Sequence, residues 1–129
     1  RRYISSTPEY YLPDAFRSAA ASVKQGSGGD HPKNDYWKDQ YVTQCNFAVN
    51  TYERMIADGV CPEQARFILP QGCEVNWLWT GSLYAYANFF NQRSDPHAQK
   101  EIQDLAKQVG VIIAPLYPVS WLALTAGNY

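Results

Sequence analysis

The chain has 129 residues, a formal net charge of -1, 46% apolar residues and 18% charged residues. That is one domain's worth of sequence with enough apolar content for a buried core, so a disordered chain is excluded. The near-neutral charge argues against a nucleic-acid or membrane-surface partner. No apolar run approaches the ~18 residues of a membrane span and no signal-peptide pattern is present, so a cytoplasmic location is expected.

Residues 1–13, RRYISSTPEYYLP, read as an extended segment punctuated by Pro8 and Pro13. No Met opens them, and the only Met is Met55. The sequence is therefore expected to begin partway through something longer, or to be processed. DAFRSAAASVK suits a short helix capped by Asp14, and the Gly- and Ser-rich residues 25–34 read as a flexible loop. From Asp35 to about Asp58 the apolar positions Trp37, Tyr41, Cys45, Ala48, Tyr52 and Met55 recur at gaps of 4, 4, 3, 4 and 3. That is a helical stripe, ended by Gly59. A second short helix follows, with Pro62 in its first turn and Pro70 as its stop.

CEVNWLWT, rich in Val and Trp, predicts a strand. GSLYAYANFFNQ has helical spacing at Leu83, Tyr86, Ala87 and Phe90. Asp95 and Pro96 then read as the cap and first position of a long helix buried along Ala98, Ile102, Leu105, Val109 and Ile112. Pro115 and Pro118 break it, and VSWLAL closes the chain as a short helix. At least four helices and one strand make the expected class α+β, with this chain mostly helical.

Aromatic residues are 15% of the chain, including ten Tyr and four Trp. Their apolar bodies and polar tips suit interfaces and ring-binding pockets as well as a core. Cys45, Cys61 and Cys73 are scattered, without C-x-x-C spacing. A disulfide framework or zinc site is not expected, a reducing compartment fits, and no His lies beside a Cys to support a catalytic thiolate.

Within a helix starting at Asp95, His97, Glu101 and Asp104 share a face. This set reads as a solvated edge, the rim of a ligand pocket, or a two-ligand metal site lacking a third donor. Arg93, in the junction before it, is either a surface residue pairing with Asp95 or a planar cation for a phosphate or ring carbonyl. Arg66 stands among Ala65, Phe67, Ile68 and Leu69, where a charge must snorkel or find an anion. With Arg1 and Arg2, these arginines point to a small anionic ligand.

The pieces EQARFILP, WTGSLYAYANFFNQR and DPHAQKEI, in that order and spacing, resemble the C-terminal half of the flavin-dependent thymidylate synthases. The resemblance runs from Arg1 to about Trp121. That family carries a signature R-H-R-x-x-S-x-N-E-x-S-x-R-Y, and Arg1-Arg2-Tyr3 fall on its last three positions. The chain is thus expected to be a single domain, residues 1–129, or the C-terminal part of such a domain. The family's α+β fold has a mixed sheet with long helices. The resemblance implies an enzyme making dTMP from dUMP. Methylenetetrahydrofolate supplies the carbon, reduced FAD the hydride, and NADPH re-reduces the flavin.

It also implies roles. Arg93 falls on the arginine that contacts the uracil ring, and Arg66 on a second dUMP-binding arginine. Arg2, with the backbone at Arg1, falls on the end of the loop that holds the nucleotide phosphate. Asn88 and His97 fall on flavin-contacting positions, and Ser82 offers a hydrogen bond to FAD where members carry N-x-R. At the third of those positions stands Tyr84, which is no cation. The R-H-R and N-E-x-S part has no counterpart, so this chain alone is expected to bind FAD poorly unless a second polypeptide supplies those residues. Homotetramers with shared sites are the family's expected assembly, and a separate N-terminal fragment is a further expected partner. A non-catalytic nucleotide-binding or assembly fragment of the same fold is the alternative.

Overall fold

The computed structural model describes residues 6–21 and 26–126, in two compact units: Arg1–Phe16 with Asp30–Trp77, and Arg17–Gly29 with Leu78–Tyr129. The described residues form five α-helices and one two-stranded sheet, a mostly helical α+β chain.

The first unit is built on α1, Asn34–Ala57. The stripe expected from the sequence is the face it buries. Cys45 and Tyr52 are buried, Tyr41, Ala48 and Met55 half-buried, and only Trp37 lies largely in solvent. Asp58 caps the C-terminus, and Gly59 follows at φ +85°, a left-handed conformation that costs glycine nothing. Residues 6–16 run extended along the helix. Thr7 Oγ1 donates to Glu53 Oε1 (2.6 Å), the Tyr10 hydroxyl to Asn46 Oδ1 (2.8 Å), and the Tyr41 hydroxyl to the Tyr11 carbonyl (2.9 Å). Tyr10 also bridges to Cys73, and Tyr11 N–H donates to the Gly72 carbonyl. Glycine at 72 leaves room for the Tyr41 hydroxyl: a Cβ there would stand 2.3 Å from the hydroxyl oxygen and push it aside. Burial, then a hydrogen bond with Cys45, pushes the Tyr41 hydroxyl up to about 12. After α1 come α2, Pro62–Ala65, and a 3-10 turn, Arg66–Ile68. Pro62 starts that pair and Pro70 follows it, as the sequence predicts.

Three expectations fail between residues 14 and 80. Asp14 caps no helix; its carbonyl accepts from Lys38 Nζ (3.0 Å), and the Ala-rich stretch contributes β1, Arg17–Ala19. β1 pairs with β2, Ser27–Asp30, inside the stretch read as a loop. The pairing does not depend on glycine at 28, where a Cβ would make only ordinary contacts of 3.5 and 3.6 Å with the Ser18 and Ala19 carbonyl oxygens. The rest of the expected helix, residues 22–24, lies outside the described residues. Residues 74–80 form no strand, because β propensity measures fit to a half-buried pleated surface, and Val75, Trp77 and Leu78 are more than 60% exposed.

The second unit packs α3, Leu83–Arg93, against α4, Lys100–Ile113, and α5, Pro118–Thr125. Its core is Ala87, Phe90, Ala106 and Trp121, with Leu83, Tyr86, Phe89, Ile113, Ala114 and Leu124 around it. The Phe90 and Trp121 rings meet edge to face at 5.4 Å. The expected stripe on α4 is corrected here. Its buried residues are the small ones, Ala106 and Gly110, whereas Leu105 and Ile112 are exposed. The reason is close approach: a Cβ on Gly110 would lie 2.8 Å from Phe90 Cε2.

Arg17 ties β1 to the rest of this unit. Its Nε donates to Ser27 Oγ (2.6 Å), and its guanidinium pairs with the Glu101 carboxylate on α4. Burial pushes the Glu101 carboxyl up, but the Arg17 hydrogen bond and charge outweigh it and hold it below the usual range. A depressed carboxylate pKa stabilises the fold above the unfolded pKa, and that contribution is lost as pH falls through the folded value. The pair is partly solvated, so it is worth no more than ~1 kcal/mol. Glu101→Gln should therefore cost little at neutral pH and nothing further in acid. In urea unfolding at pH 7 and at acidic pH, its deficit against the wild type should vanish on the acid side. A deficit that persists there would assign the loss to something other than the charge.

Candidate active site

Most of the residues singled out from the sequence sit on or beside α3. The helix starts where Ser82, in extended conformation, accepts the Ala85 N–H on its Oγ (3.2 Å). That bond leaves the hydroxyl proton of Ser82 able to donate to a ligand. Tyr84, Asn88 and Gln92 follow at intervals of four along the exposed face. Asn88 Oδ1 accepts from Gln92 Nε2 (3.1 Å), so its own amide group stays available.

Arg93 ends the helix, and it is exposed. At 3.6 residues per turn it points about 140° away from Asn88. Among the described residues it has no hydrogen-bond or ion-pair partner. The expected surface partner, Asp95, is occupied. Its Oδ1 accepts both the backbone N–H of His97 and the His97 ring Nδ1, each at 2.8 Å. These bonds, the backbone one foremost, hold the Asp95 carboxyl below its ordinary range.

This arrangement corrects the helix start. Residues 94–99 are a turn, closed by Ala98 N–H on the Asp95 carbonyl (3.0 Å), and α4 begins at Lys100 with Gln99 as its cap. The residue before a proline avoids the helical region, and an Asp side chain readily bonds the backbone two residues on. His97 is therefore not on a helix face with Glu101 and Asp104. Glu101 is paired with Arg17, and Asp104 with Lys100. Among the described residues no group of three or more His, Cys, Asp or Glu can hold a metal ion. Behind the turn, Gly26 (φ +81°) comes so close that a Cβ would stand 2.9 Å from the His97 carbonyl. The His97 ring itself is 74% exposed.

Arg66 belongs to the other unit, at the start of the 3-10 turn. It is half-buried, and its Nε donates to the Glu63 carbonyl (3.2 Å), while its terminal nitrogens have no partner among the described residues. Arg1 and Arg2 lie outside the described residues. What the sequence reading missed is Asp95 as the partner of His97. The D-P-H spacing was the available signal, since it favours such a turn.

A family model described as thymidylate synthase complementing protein matches residues 1–119. The chain belongs to this family. Curated relatives agree. A flavin-dependent thymidylate synthase of Kosmotoga olearia is 31% identical over 124 residues, which are 95% of this chain and 54% of the relative. One of Thermus thermophilus is 30% identical over 122 residues, 95% and 45% respectively. One of Dictyostelium discoideum is 28% identical over 122 residues, 92% and 40%. The chain thus spans about half the length of the family members it matches. No helix among its described residues is long and apolar enough to cross a membrane.

Proposed function

We propose that this chain supplies part of the active site of a flavin-dependent thymidylate synthase that converts dUMP to dTMP. The observation that carries the reading is the guanidinium of Arg93 at the end of α3, which has no partner among the described residues. A fixed, permanently charged fork is what a uracil ring needs if negative charge is to develop on its carbonyls and N3. The family resemblance adds Arg66, whose terminal nitrogens have no partner among the described residues, as a second dUMP contact, and Arg1 and Arg2 as phosphate contacts.

The residues offered to FAD fit a group rich in acceptors and hydroxyls. Ser82 has a hydroxyl proton to give, Asn88 a free amide group and His97 an open ring edge. When bound, the reduced flavin supplies the hydride, with methylenetetrahydrofolate as carbon donor and NADPH as the source of reducing equivalents. The protein binds, orients and stabilises charge. No thiolate is required of it, in keeping with a fully buried Cys45. The chain acts as the C-terminal part of a larger domain, in a cytoplasmic homotetramer with shared sites.

Titration with FAD and with dUMP tests this. The chain alone should bind FAD weakly, and tightly once an N-terminal polypeptide of the family is added. Tight stoichiometric FAD binding by the chain alone would refute the incomplete site. Binding of dUMP with no FAD binding under either condition would favour the alternative, a non-catalytic nucleotide-binding or assembly fragment.

A further inference from the structure

We propose that Asp95 is a positioning residue: it holds His97 in the Nδ1–H tautomer and turns Nε2 outward as an acceptor for an N–H or O–H donor of the bound ligand. The argument begins with the two 2.8 Å bonds on one carboxylate oxygen. An ionised carboxylate only accepts hydrogen bonds. In a neutral imidazole one nitrogen carries the proton, and the bond made by the other ring edge decides which. With Nδ1 against Asp95, the proton sits on Nδ1 and the Nε2 lone pair faces away.

The backbone beneath the ring is fixed from both sides. Asp95 binds the His97 N–H, and Gly26 packs against the His97 carbonyl at a distance no side chain tolerates. Ring, carboxylate and turn thus form one small rigid piece whose exposed edge is Nε2. The same contact occupies the Asp95 carboxylate, which makes no ion pair with Arg93 among the described residues.

The chain contains its own control. Its other histidine, His31, accepts the Lys33 N–H on Nδ1 (3.0 Å), which places its proton on Nε2. The two histidines should be opposite tautomers. The ligand half of this inference rests on the proposed function, whereas the tautomer half does not.

Imidazole nitrogen spectra of the 15N-labelled chain, recorded above the histidine titration range, read both. His97 should show a protonated Nδ1 and a bare Nε2, with His31 reversed. In Asp95→Asn, whose amide can donate as well as accept, His97 should move toward the Nε2–H form while His31 stays put and reports an intact fold. A wild-type His97 in the Nε2–H form, or a His97 pattern unchanged in Asp95→Asn, would overturn the role of Asp95. Adding FAD together with an N-terminal polypeptide of the family should then shift the His97 Nε2 resonance. FAD binding without that shift would remove His97 from the cofactor site and leave the Asp95 result standing.

Discussion

Arg93→Ala in the assembled enzyme should lower kcat about 100- to 1,000-fold, equivalent to ~2.7–4 kcal/mol of lost transition-state stabilisation. The size follows from the role proposed for the guanidinium. It is exposed, ends α3, and has no partner among the described residues, so its charge is not spent inside the fold. On that proposal, a cation aimed at a uracil ring interacts more strongly as charge develops on the ring, and that difference appears in kcat. Folding should hardly change. The substitution removes a surface side chain whose structural contribution among the described residues is a favourable interaction with the helix C-terminus, worth ~0.3–1 kcal/mol. Steady-state kinetics beside a thermal melt separate the two effects. Arg93→Lys should recover part of the loss, because a point charge lacks the planar fork. Turnover unchanged in Arg93→Ala would take this residue out of the mechanism.

The parts of this fold written locally were readable from the sequence. The α1 stripe from Tyr41 to Met55 needs only a periodic apolar face and Gly59 to stop it. α3 needs only Ser82 and the Leu83–Phe90 spacing. The misread parts depend on partners far along the chain. Arg17–Ala19 is a strand because Ser27–Asp30 pairs with it, and the helix propensity of the Ala-rich stretch is outweighed by that pairing. Val75 and Trp77 have strand chemistry but not the half-buried setting that makes a strand. On α4 the apolar period suggested large residues inward, whereas the inner face belongs to Ala106 and Gly110 because Phe90 needs the space. At the candidate site the sequence singled out Arg93 and His97. It did not tell which of them Asp95 would take, since that choice lies in a turn geometry and not in a spacing.

Phe90→Ala should cost ~3–5 kcal/mol, the range for emptying a buried aromatic site. That is a large share of the 5–15 kcal/mol that holds a typical domain together. Phe90 is 5% exposed, lies edge-on to Trp121 at 5.4 Å, and fills the space above Gly110. Both neighbours sit on helices, so the void cannot close without moving α4 or α5. Gly110→Ala probes the same contact from the other side. Replacing a helical glycine by alanine normally gains about 1 kcal/mol in helix propensity. Here the new Cβ would stand 2.8 and 3.1 Å from Cε2 and Cδ2 of a ring that Trp121 keeps from retreating. Overpacking of that kind costs ~1–3 kcal/mol, so the net effect should be destabilising. The two changes should then be non-additive: in the Phe90→Ala background the clash is gone, and Gly110→Ala should become stabilising. Urea unfolding of the wild type, both single variants and the double variant measures the coupling. A Gly110→Ala chain more stable than wild type would show that the ring yields, and that the α3–α4 approach is set by something other than this glycine.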